Sequence, residues 1–88
     1  MKIEQIQQII EVAQVGYINR ASQNLYIAQS TLSSSIKCVE TELRQKLFIR
    51  TQKGIEQTEF GKIFVKYGKT ILEAYHSVCL KSTIQKRI

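Results

Sequence analysis

The residues best suited to chemistry lie in one short stretch, Gln29-Ser30-Thr31-Leu32-Ser33-Ser34-Ser35-Ile36-Lys37. If the stretch is helical, Leu32 and Ile36 share one face. Gln29, Ser30, Thr31, Ser33, Ser34 and Lys37 then make a polar outer face without a carboxylate. These groups suit the edges of bases in a DNA major groove. Gln can bridge the N6 and N7 atoms of adenine, Ser can donate or accept, and the Thr methyl can touch thymine. A second set lies downstream in Arg50-Thr51-Gln52-Lys53-Gly54, a polar turn with two cations. Catalysis fits the inventory poorly. There is no Asp, His76 is the single histidine, and the serine cluster has no base near it in sequence. Cys38 and Cys79 stand apart without metal-ligand spacing, and Gly16, Gly54, Gly61 and Gly68 form no phosphate cradle. We therefore expect no enzyme, no metal and no cofactor.

Charge supports a polyanionic partner. The net charge is +6, yet residues 1–36 are balanced, with Lys2 and Arg20 against Glu4 and Glu11. Residues 37–69 hold eight basic residues against four Glu. A basic half of this kind attracts nucleic acid, an anionic membrane or an acidic protein.

The positioning elements follow from apolar spacing. Ile3, Ile6, Ile9, Ile10 and Ala13 fall on one face of a first helix that runs to about Val15, where Gly16 serves as its C-terminal cap. Asn19 is expected to cap a short second helix ending near Leu25. Tyr26-Ile27-Ala28 turns into a third helix with Leu32, Ile36, Val39 and Leu43 inward. Leu47-Phe48-Ile49 and residues 55–57 read as two strands of a basic-tipped hairpin. Thr58 then caps a long helix in which Phe60, Ile63, Phe64, Tyr67, Ile71, Ala74, Tyr75 and Val78 recur at steps of three and four. Such a seam calls for a partner, and a second copy is the simplest. The fold expected is mainly α, a winged helix-turn-helix of three helices and a two-stranded wing over residues 1–57. A dimerising linker helix follows over residues 58–88. At 88 residues, with 43% apolar and 23% charged composition, one small core is the limit. No apolar run reaches the ~18 residues of a membrane span. The start, Met1-Lys2-Ile3-Glu4, lacks the order of a signal peptide. A cytoplasmic location is expected.

In this order the residues resemble the N-terminal domain of LysR-type transcriptional regulators, across almost the whole chain. Ala21 to Ser33 resembles the family's alanine-rich helix, turn and Ser-Gln-Pro-Ala-Leu-Ser start of the recognition helix. Ile36-Lys37, Glu40, Glu42-Leu43 and Leu47-Phe48-Ile49-Arg50 follow in order. Residues 50–54 resemble Arg-Thr-x-Arg-Gly, and Thr58-Glu59-Phe60-Gly61 resembles the Thr-Glu-Ala-Gly that opens the linker helix. Departures are Ala28 for Ser, Ser30 for Pro, and Ser34 where Arg is frequent. They remove a hydroxyl cap that Gln29 or Ser30 could replace, and they weaken guanine reading at residue 34.

The resemblance implies a bacterial transcription regulator that binds double-stranded DNA as a homodimer. Gln29, Ser30, Thr31, Ser33 and Ser34 would read bases. Asn19, Arg20, Lys37, Arg50, Thr51 and Lys53 would hold phosphates or enter the minor groove, although Arg20 could instead pair with Glu11 or another Glu. Phe60, Ile63, Phe64, Tyr67, Ile71 and Val78 would form the dimer seam. Family members continue into a ligand-sensing domain that this sequence lacks, either because the chain is a fragment or because the regulator is short. The rival readings are a protein-interaction module with the winged helix as scaffold, and a membrane-surface helix over residues 58–88.

Overall fold

The computed structural model describes residues 1–86, with side-chain surroundings through residue 82. Its order is α1 (Ile3–Val15), α2 (Ile18–Leu25), α3 (Gln29–Leu43), β1 (Phe48–Thr51), β2 (Gly54–Gln57) and α4 (Glu59–Lys86). This is the winged helix-turn-helix expected from the apolar spacing, with a long helix after the wing. The expected linker of residues 58–88 runs past the described residues.

α1 is the centre of the domain and touches α2, α3, α4 and β2. Ile6, Ile9 and Ile10 are buried as their spacing predicts, but so is Val12, which lies off that stripe. A helix covered on several sides buries more than one face. The core is completed by Ala21, Leu32, Ile36, Val39, Leu47, Phe48 and Phe64. Each buried aliphatic contributes about 1.5–3 kcal/mol. The α3 stripe therefore fixes which face of that helix remains outside.

Gly16 ends α1 in the left-handed region, with φ of 84° and its N–H donating to the Val12 carbonyl. The expectation for Asn19 needs correction. α2 begins at Ile18 with Tyr17 as its cap residue, and no side chain caps it. Asn19 lies inside the first turn, and its Oδ1 accepts only the Arg20 amide at 2.9 Å. α2 closes at Tyr26, also left-handed at φ 58°, and the Ile27 N–H returns to the Ser22 carbonyl. α3 then starts from Ala28, again without a side-chain cap, so neither Gln29 nor Ser30 replaces the missing hydroxyl.

The wing pairs Phe48 with Gln57, Ile49 with Glu56, Arg50 with Ile55 and Thr51 with Gly54 in antiparallel register. Its first strand begins one residue later than expected because Leu47 is drawn into the core. Glu40 of α3 holds that junction, accepting the Leu47 amide at 2.7 Å and the Phe48 amide at 3.4 Å. Thr58 caps α4 as predicted, taking the Gly61 amide at 2.9 Å while its hydroxyl donates to the Lys46 carbonyl. α4 can approach so closely because Gly61 has no side chain; a Cβ there would overlap the Leu47 carbonyl oxygen.

Candidate nucleic-acid interface

α3 presents the face its sequence promises. Leu32, Ile36 and Val39 are buried, whereas Gln29, Ser30, Thr31, Ser34 and Lys37 are exposed and Ser33 is half-buried. The structure divides these residues between two hollows. Gln29 and Ser33 line a groove with Tyr17, Asn19, Arg50 and Thr51, which joins the starts of α2 and α3 to the wing. Ser30, Thr31 and Ser34 line a shallow hollow on the other flank, beside Gln5, Ser35 and Cys38. Lys37 lies one turn further along, in a groove with Lys46 and Arg50.

The wing is held in place before any partner arrives. The Ile55 amide donates to the Gly16 carbonyl at 2.9 Å. Gly54, at φ 118°, packs so tightly that a Cβ would lie 2.5 Å from the Gly16 oxygen and 2.8 Å from Tyr17 Cε1. Thr51 is partly committed within the wing, donating to the Gly54 carbonyl and accepting the Lys53 amide. Arg50 and the Lys53 side chain are exposed.

Charge is sorted in the same sense. Two acids are engaged within the chain, Glu40 by the wing amides and by Lys46 at 3.8 Å, and Glu11 by the Asn24 amide at 2.9 Å, whereas Glu56 of the wing is exposed. Glu42 bonds the amino terminus at 2.8 Å. Glu11 therefore does not pair with Arg20, whose guanidinium lies over the Tyr17 ring at 5.8 Å. Among the described residues, Arg20, Lys37, Arg50 and Lys53 have no carboxylate within 4.0 Å. Arg20 of α2, Lys37 of α3, and Arg50 and Lys53 of the wing thus stay free of carboxylates, and the first turn of α3 holds no acid. Tyr17 is the member of this group that sequence reasoning missed. Its only signal was an aromatic at a helix start, where Ser, Thr, Asn or Asp is preferred.

Chain similarity supplies what geometry alone does not. Residues 3–62 match the family described as bacterial regulatory helix-turn-helix proteins, lysR family. The chain is a LysR-family helix-turn-helix domain. The nitrogen assimilation regulatory protein nac of Klebsiella aerogenes is 35% identical over 72 residues, which is 82% of this chain and 24% of that protein. The HTH-type transcriptional regulator GltR of Bacillus subtilis is 38% identical over 72 residues, again 82% of this chain and 24% of its own. The chain thus spans about a quarter of the length of these curated relatives. Among solved structures, the DNA-binding domain of CbnR in complex with DNA superposes with a TM-score of 0.90 at 27% identity. That match covers 97% of this chain and 98% of the other. Full-length CbnR, a LysR family transcriptional regulator, gives 0.91 at 28% identity, covering 94% of this chain and 29% of the other.

The long helix of this LysR-family domain carries two adjoining apolar faces. Phe60, Phe64, Val65 and Leu72 turn toward the core. Gly68 lies against Ile6 and Ile10, where a Cβ would come within 3.2 Å of both side chains. Phe64, expected in the dimer seam, is 8% exposed and belongs to the chain's own core. Phe60 is partly buried against the same core. Ile63, Tyr67, Ile71 and Val78 are exposed with Tyr75. At about 100° per residue they lie roughly a quarter-turn from the core-facing side. The Tyr75 phenol is held above its ordinary pKa by its hydrogen bond and charge interaction with Cys79, with smaller contributions from desolvation and then Glu4. Among the described residues, no helix is long and apolar enough to cross a membrane, and no His, Cys, Asp and Glu cluster could hold a metal ion.

Proposed function

We propose that this domain binds a specific duplex DNA operator as a homodimer and so regulates transcription. The observation that carries the reading is the groove in which Gln29 and Ser33 of α3 meet Arg50 and Thr51 of the wing. A helix of that chemistry can lie in a major groove while the adjoining wing follows the flanking backbone. Gln29, Ser30, Thr31, Ser33 and Ser34 are the base readers. Asn19, Arg20, Lys37, Arg50, Thr51 and Lys53 hold the backbone or the minor groove. Thr51 contributes less than the cations, because its hydroxyl already serves the wing turn. The DNA complex of the CbnR domain supports this reading by analogy of fold and family.

Residues 1–57 are the part that holds DNA and residues 58–88 the part that pairs two copies. The pairing surface is the exposed stripe of Ile63, Tyr67, Ile71 and Val78. Apolar surface of this extent is covered when two such helices pack together. The work is recognition, without a reaction of its own, and its place is the bacterial cytoplasm, where the chromosome lies. Selection of bound duplexes from a random DNA pool tests the proposal. A two-fold motif with fixed half-site spacing is the expected result. Recovery of no motif would overturn it and favour a protein-interaction module.

A further inference from the structure

A helix start leaves its first amides without partners inside the helix, and a short polar side chain at the cap position supplies an acceptor for one of them. Tyr17 occupies that position in α2 and supplies none. Its ring meets both the wing and a cation of its own helix. At the wing, Gly54 leaves room for Tyr17 Cε1 and Cδ1 at distances of 2.8 and 3.1 Å from where a Cβ would stand. The Arg20 guanidinium stands over the ring, 5.8 Å from its centroid, in the range of a cation–π contact. The ring is nonetheless 46% exposed and lines the groove that holds Gln29, Ser33, Arg50 and Thr51.

We propose that Tyr17 is a positioning residue for the DNA backbone, a common seat on which the wing and Arg20 rest. The inference builds on the operator-binding reading above. Arg20 has no carboxylate partner, and a free arginine must lose much side-chain freedom when it meets a phosphate. Resting on the ring restricts it beforehand, and a guanidinium over an aromatic face keeps its donors at the edge available. The same ring backs the wing at Gly54, so Arg20 and the wing strands are presented to the backbone together. Tyr17 thus trades a helix cap for order in the groups that grip DNA.

Two variants of the full chain separate this role from a purely structural one. Tyr17→Phe keeps the ring, and its affinity for operator should stay within about twofold of the parent. Tyr17→Ser removes the ring and supplies the missing cap. It should remain folded, with a thermal midpoint near that of the parent. It should bind both operator and random duplex about tenfold more weakly, with a salt slope shallower by about one per subunit. A structural residue would instead lose binding only in proportion to lost folding. Parent-like binding by Tyr17→Ser, or equal losses in the Ser and Phe variants, would overturn the inference while leaving operator binding intact. If the parent itself selects no DNA, the operator reading fails first, and this inference with it.

Discussion

Replacing Gln29 or Lys53 with Ala separates reading a base from holding a phosphate, and the structure makes both changes clean. Gln29 is the first residue of α3, exposed, and its side-chain amide has no protein partner among the described residues. Truncation therefore leaves no buried group unpaired, and Ala is at least as good a helix former. Lys53 is exposed in the wing turn, and its one bond to Thr51 uses the backbone amide, which Ala retains. Neither change should move the thermal midpoint by more than a degree or two. A bidentate base contact is worth about 1–3 kcal/mol of discrimination. Even the lower value, counted in two half-sites, weakens operator binding by about thirtyfold. Random duplex should be bound almost as before, with an unchanged salt slope. In its proposed role, Lys53→Ala would remove one phosphate contact per subunit. Affinity should fall by a similar factor on operator and random DNA, and the salt slope should flatten by about two per dimer. Fluorescence anisotropy on both duplexes over a salt series reads all of these quantities. Equal losses on the two duplexes for Gln29→Ala, or no loss on either, would refute its assignment as a base reader.

Ile71→Glu places a charge in the middle of the exposed α4 stripe, and light scattering at micromolar concentration should then give a monomer mass; an unchanged dimer would place the interface elsewhere. With Lys37, Arg50 and Lys53 in the proposed backbone roles, two subunits would neutralise on the order of six phosphates, and affinity should fall about a thousandfold between ~50 and ~200 mM salt. A flat titration would contradict the backbone assignments. Glu40→Ala leaves the Leu47 amide without its acceptor and should destabilise the fold by about 1–3 kcal/mol in denaturant titrations, whereas Glu40→Gln should recover part of that loss. Gly61→Ala forces a methyl onto the Leu47 carbonyl; a parent-like midpoint would show that α4 can shift away from the wing at small cost.

Local chemistry explains what the sequence disclosed. The left-handed Gly16, the inward stripe of α3 and the Thr58 cap each depend on residues within one or two turns, and each is found where spacing placed it. What was hidden depends on contacts across the chain. Val12 looks like a flank residue until α1 is seen to be enclosed on several sides. Periodicity gave Phe64 and Ile71 to the same seam, because a repeat of three and four does not say which neighbour a helix face meets. Asn19 has the chemistry of a cap, but the helix starts before it, where Tyr17 packs on a wing glycine 37 positions downstream. For the interface, residue type indicated the polar face of α3. Its division into a wing-side groove with Gln29 and Ser33 and an opposite hollow with Ser30, Thr31 and Ser34 came only with the third dimension.

The unbroken course of α4 makes the domain a ruler. Gly68 presses one side of the helix against Ile6 and Ile10, and the same unbroken rod carries Ile71 and Val78 on its exposed side. The direction in which a second copy would be held is thus set relative to α3 by the number of residues between these two groups. One residue inserted after Gly68 would turn everything beyond it by about 100° and advance it by about 1.5 Å. The second α3 would be re-aimed along the duplex without any change to Gln29 or its neighbours. In such an arrangement the letters of a half-site and the gap between half-sites are separate heritable traits, one written in α3 and the other in the length of a helix that never touches a base.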